Sequence, residues 1–159
     1  MTSEYTQQVA QIAGPLEAAM DAMAGTLSAN QEVVLHNLTT PEHSIIKIIN
    51  GHVSGRGNGD HLLAGPEKDT GFALLLQKTN NNKPRTISDY KTVTASGKTL
   101  NSASTIYYSE EGYPLIAFCI NVDPSPYDQI RKSLDALLPS PAEAAEAVDL
   151  NLGGLIDQS

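Results

Sequence analysis

At 159 residues the chain is long enough for one domain that buries its own core. Its 18 Asp and Glu against 10 Lys and Arg give a formal charge of -8, which argues against a surface built to grip nucleic-acid phosphates. The single cysteine, Cys119, excludes an internal disulfide and a zinc-finger spacing, and the longest apolar run, Leu115 to Ile120, is too short to cross a bilayer.

Val9, Ile12, Leu16, Met20, Met23 and Leu27 step by three or four, so a helical packing stripe is predicted within residues 5–28. Gly14 and Pro15 interrupt it, predicting either a kink or a short first helix with Pro15 opening a second. Residues 32–38 and 44–49 are rich in β-branched side chains and read as strands separated by the turn-like segment 39–42. The second of these, Ile45 to Ile49, is apolar on both faces apart from Lys47. A glycine-, asparagine- and aspartate-rich stretch runs from Asn50 to Asp60. Helical pieces are predicted after it from Leu62, Leu63, Phe72, Leu75 and Leu76, before a breaker at 80–84.

The second half reads as a meander of strands over 86–94, 99–109 and 114–122, joined by tight turns at 95–98 and 110–113. The unbroken apolar run 115–120 predicts a central strand. After Asp123 a helix is predicted with Tyr127, Ile130, Leu134 and Leu137 on one side, and Ser140 to Glu143 has the form of a capping box before an alanine-rich helix. The fold class is therefore α+β, with a five-stranded antiparallel sheet and flanking helices.

Several motif-like strings lack the spacing their chemistry requires. Gly55 to Gly59 is G-x-G-x-G without a parallel βαβ unit or a following Lys-Ser/Thr, and reads as a turn rather than a phosphate cradle. Ser54 sits one place too late for a nucleophile elbow. The histidines His36, His43, His52 and His61 never fall as H-x-x-x-H, so no metal site is expected.

The remaining polar candidates have both a packing role and a binding role open to them. His36 lies inside an apolar strand, either as a core histidine with one hydrogen bond or as a group aimed into a pocket. The planar fork of Arg56 suits a carboxylate or phosphate, or ties its own turn to a carboxylate such as Asp60. Ser104, Thr105 and Tyr107 put hydroxyls on a central strand, and Asn121 follows the apolar run. Cross-strand hydrogen bonding and a polar cavity lining are the alternatives for these. Cys119 reads as a small core hydrophobe.

Three segments, Glu32 to Leu38, Ser44 to Arg56 and Ile116 to Asp123, together resemble the YheO-like PAS domain, the sensor half of bacterial helix-turn-helix transcriptional regulators. The strings Asn-Gly-x-x-Ser-Gly-Arg at 50–56 and Cys-Ile-Asn-x-Asp at 119–123 carry the resemblance, which covers roughly residues 15–125. It implies a PAS-like fold and a regulatory role. The chain departs from relatives in lacking a proline between Arg56 and Asp60, and in lacking a helix-turn-helix after Ala147. It also lacks the Asn-Cys-Arg-Phe string of flavin-reactive PAS domains, and His36 is the one strand histidine that could ligate haem, so no cofactor is expected.

These readings predict an N-terminal helical packing or dimerisation segment at 1–30, a PAS-like core at 31–123, and C-terminal helices at 124–159 leading towards a helix-turn-helix domain outside the chain. The expected function is small-molecule sensing without catalysis, with His36, Arg56, Ser104, Tyr107 and Asn121 lining the ligand site. The expected partners are an unidentified metabolite and a second copy of the chain, with DNA reached only through the missing domain and no membrane contact. Residues 1–5 carry an acid and no basic n-region, so a cytoplasmic location is expected. A ligand-free dimerisation module is the alternative. A small hydrolase or transferase is the third class, supported by no spacing.

Overall fold

The computed structural model describes residues 3–57 and 70–139, which fall into two compact units, the first ending in sequence at Pro124 and the second beginning at Ser125. The readings placed on Gly59 to Leu63 and on the alanine-rich segment from Ser140 onward lie outside the described residues.

The first unit opens with helix α1, Ser3–Met23, which runs unbroken through Pro15. An internal proline forfeits a hydrogen bond and costs about 3 kcal/mol. Here its neighbours compensate, because Ala13 and Met20 are buried on either side of it and anchor both halves of the helix to the same surface. Of the two readings the sequence offered, a kink or two helices, the second is excluded, because one helix spans the segment. The predicted stripe is the packed face, with Val9, Ile12, Leu16 and Met23 lying against the same cluster and Leu27 joining it from beyond the helix end.

The strands are β1 (Gln31–Asn37), β2 (Ile45–Ile49), β3 (Arg85–Val93), β4 (Thr99–Tyr108) and β5 (Pro114–Val122), with a short helix α2 (Thr70–Leu75) between β2 and β3. They form one antiparallel sheet in the order β2-β1-β5-β4-β3, which places β5 at the centre as its apolar run predicts. Alternation along each strand divides the core in two. On one face Val33, Leu35, Ile49, Leu115 and Ile116 pack under α1. On the other, Val34, Ile45, Tyr90, Ile106, Ala117 and Cys119 pack with Leu75 of α2.

Strand β2 is covered on both sides although it lies at an edge. Ile45 and Ile48 enter one cluster and Ile46 and Ile49 the other, while Lys47 reaches over to Asp21 of α1 at 2.5 Å. The β4–β5 turn needs glycine at Gly112, where φ is +92° and an added Cβ would run into the backbone carbonyl of Thr79. The amide of Thr79 donates to the Gly112 carbonyl at 2.9 Å, so this turn is also where the segment after α2 is fastened.

The second unit contains helix α3, Ser125–Leu137. Tyr127, Ile130, Leu134 and Leu137 do fall on one side of it, and all four are exposed. Among the described residues no helix is long and apolar enough to cross a membrane.

Candidate functional site

The sheet face away from α1 carries a run of buried polar side chains. Register brings Glu32 of β1 opposite Asn121 of β5, and Asn121 opposite Ser102 of β4. Thr92 of β3 stands beside Ser102, and all four side chains are buried. Ser102 Oγ donates to Asn121 Oδ1 at 2.7 Å, and its only proton is thereby committed. Thr92 is therefore the donor in its 2.7 Å bond to Ser102. Asn121 Nδ2 then donates to Glu32 Oε1 at 2.9 Å. The chain of donors crosses four strands and ends on a carboxylate.

Glu32 receives more than that one bond. The Ser54 amide donates to Oε2 at 3.1 Å, and the Ser54 hydroxyl donates to the same oxygen. Arg56 Nη2 reaches Oε1 at 3.3 Å, and Arg56 Nε donates to Ser54 Oγ at 3.2 Å. Both charged side chains are withdrawn from water, with 8% of Arg56 and 0% of Glu32 exposed. A lone buried charge costs several kcal/mol, so a carboxylate here persists only with acceptors filled, as these are.

Local backbone geometry delivers Ser54 and Arg56 to this position. Asn50 adopts a left-handed conformation at φ 57°, and its side chain donates to the Ser28 and Gln31 carbonyls at 3.1 and 2.8 Å. A single 3-10 turn, Gly51–Val53, follows, and the amides of Gly55 and Arg56 both return to the Gly51 carbonyl at 2.7 and 3.1 Å. The string Asn-Gly-x-x-Ser-Gly-Arg is thus a turn that aims two donors at Glu32.

One register step along, Ser104 faces Cys119 and accepts or donates a 2.5 Å bond with the Tyr90 hydroxyl. Burial pushes the Cys119 thiol up to about 11, against the opposing pull of the Ser104 hydrogen bond and the Arg56 charge. His36 lies at the next alternate position of β1, with Nδ1 at 2.9 Å from the Ser44 hydroxyl. Burial, reinforced by the Arg56 charge, lowers its pKa to about 3, so the imidazole is neutral. Neither group is poised for acid–base or nucleophilic work near neutral pH.

Of the five residues singled out in the sequence, four share this face: His36, Arg56, Ser104 and Asn121. Tyr107 does not. It sits an odd number of positions from Ser104 and packs instead into the α1 cluster. Its hydroxyl is not gathered with the others. Thr105, also considered as a lining residue, likewise faces away and bonds Thr86 at 2.7 Å. The residue that sequence reasoning missed is Glu32, which supplies the carboxylate for Arg56. Its only signal was an acidic side chain at the head of an apolar strand. A groove of about 320 Å³ opens over β3, β4 and β5, lined by Asp89, Lys91, Asn101 and Ile120 and also by Tyr90 and Ser102 of the polar run. Asn101 and Ile120 are exposed, and the groove includes neither Arg56 nor Glu32.

An antiparallel sheet in this strand order, with a helix across one face and buried polar groups on the other, defines a PAS-like α+β fold. The chain belongs to the YheO-like PAS domain family, whose model matches residues 7–139. It is also similar to Transcriptional regulator DauR of Pseudomonas aeruginosa, with 28% identity over 118 residues. That match covers 74% of this chain and 50% of the relative, so the chain spans about half the length of the curated protein it resembles.

Proposed function

We propose that this chain is the small-molecule-sensing domain of a bacterial transcriptional regulator and not an enzyme. The observation that carries the reading is the convergence of buried donors from β3, β4, β5 and the turn after β2 on Glu32 and Arg56. A domain with only a packing role is served better by an apolar core, because buried ion pairs add little net stability. Family membership and the likeness to a transcriptional regulator support a regulatory role. The ligand is an unidentified metabolite. It acts by binding one packing of the sheet and its helices better than the other, biasing the attached output.

With a charge of -8 the chain itself is not the part that grips DNA, and contact with DNA falls to a separate part of the regulator. The setting is cytoplasmic, with no membrane contact and no resident cofactor. The exposed stripe Tyr127, Ile130, Leu134 and Leu137, spaced three, four and three, favours pairing of two copies. The same stripe supports the second reading, a dimerisation module that binds no ligand.

Native mass spectrometry of freshly purified protein, followed by a denaturing spectrum, separates the two. The sensor reading expects a dimer that releases a discrete small mass on denaturation. If no mass is carried and a metabolite screen leaves the melting temperature unmoved, the sensor reading fails and the module remains. A monomer at high micromolar concentration removes the module.

A further inference from the structure

We infer that the ligand of this site carries a carboxylate, one oxygen of which is bound by Nη1 of Arg56. The inference rests on the sensor reading and adds the chemical class of the ligand.

Arg56 is almost wholly buried, and two of its three nitrogens are used: Nε on Ser54 and Nη2 on Glu32. The third, Nη1, is buried with no hydrogen-bond partner among the described residues. An ionised donor left unsatisfied costs about 1–3 kcal/mol or more, and native interiors rarely tolerate one without reason.

The neighbouring groups cannot relieve it. Glu32 already accepts from Asn121, from Arg56 Nη2 and twice from Ser54, which fills its acceptor capacity. His36 and Cys119 carry no counter-charge, and neither has an atom within hydrogen-bond reach of Nη1. With no acceptor in reach among the described residues, the missing one is assigned to a ligand.

Charge decides which acceptor. A hydrogen bond between ionised partners is roughly twice as strong as a neutral one, which favours a carboxylate over an amide or ketone. With the guanidinium already paired to Glu32, a carboxylate leaves one net negative charge at the buried site and a phosphate dianion two, so the monoanion is the less costly of the two. Only a single guanidinium nitrogen is free to receive it.

The test titrates the 15N-labelled full chain with acetate, pyruvate, acetamide and inorganic phosphate while following the Arg56 Nε–Hε resonance. The carboxylates are expected to give a saturable shift, with acetamide and phosphate binding at least about tenfold more weakly. Arg56→Gln is expected to lose that preference. Because it strands Glu32 without a counter-charge, the pairwise neutral variant Glu32→Gln/Arg56→Gln is measured beside it. Equal binding of acetamide, tighter binding of phosphate, or a carboxylate preference surviving in the paired variant overturns the inference. A co-purified ligand without a carboxylate overturns the inference while leaving the sensor reading intact. No response to any probe together with no co-purified mass overturns both.

Discussion

Asn121 and Glu32, separated by 89 positions in the chain, meet across β5 and β1 with Nδ2 2.9 Å from the carboxylate oxygen. The bond links the hydroxyl chain of β3 and β4 to the ion pair at Arg56. On the central strand it is Asn121 that hydrogen-bonds both to Ser102 of the hydroxyl chain and to Glu32 of the ion pair.

Removing Glu32 should therefore be among the most damaging single changes. Glu32→Ala leaves the Arg56 guanidinium buried and unpaired, and a loss of about 3–5 kcal/mol in urea unfolding is expected. A double-mutant cycle between Glu32→Gln and Asn121→Ala should return a coupling of about 0.5–3 kcal/mol. Strict additivity would show that the two side chains do not support each other.

The buried imidazole of His36 sets a pH dependence with a defined sign. Its pKa falls from 6.5 in the unfolded chain to about 3 in the fold, so between those values the unfolded state holds a proton that the native state refuses. Its contribution is fully present above pH 6.5 and is lost progressively as pH falls towards 3. Unfolding free energies measured from pH 7 to pH 4 should fall more steeply for the parent than for His36→Gln. The difference in slope should approach about 1.4 kcal/mol per pH unit. Parallel profiles would place the histidine outside the core.

Two glycines with similar dihedral angles should respond differently to alanine. Gly97, at φ +86°, has nothing within 4 Å of an added Cβ, so Gly97→Ala costs only the strain of the left-handed backbone, about 1 kcal/mol. At Gly112 the same strain is joined by collision with the Thr79 carbonyl. Gly112→Ala should lower the melting temperature clearly further than Gly97→Ala. Equal shifts would show that the 79–112 contact gives way freely.

Cys119 should be silent to thiol reagents in the folded protein. Reaction needs the thiolate, and burial both hides the sulfur and holds its pKa near 11. Ellman's reagent at pH 8 should report one thiol per chain only after urea is added, at the rate of unfolding. Fast labelling without denaturant would contradict the burial.

The strands were legible because β-branched residues and turn glycines mark them locally. All five lie within a residue or so of where the sequence puts them. The site was legible only in part. That Ser104 and Tyr107 cannot share a face follows from their odd separation alone, and the sequence already held that exclusion. Glu32 is different: its burial arises from pairing with a strand at the far end of the domain and from a turn beyond β2. No local pattern distinguishes an acid that caps an apolar run from one held by four donors. Likewise the acid that pairs with Arg56 among the described residues is Glu32, 24 positions away, a partner that no local pattern around Arg56 announces.

The strand order also governs when this domain can come into being. β1 is the first strand made, yet it pairs over seven positions with β5, the last. A nascent chain that has reached Tyr108 holds two separate hairpins, β1–β2 and β3–β4, with no strand between them, and isolated hairpins are at best marginally stable in water. Only with the arrival of residues 114–122 do the hairpins become one sheet and the Glu32 carboxylate gain its Asn121 donor. Synthesis must run nearly to the end of the domain before any part of its core is secure, and until then the unpaired edges of β1 and β4 need shelter from one another's copies.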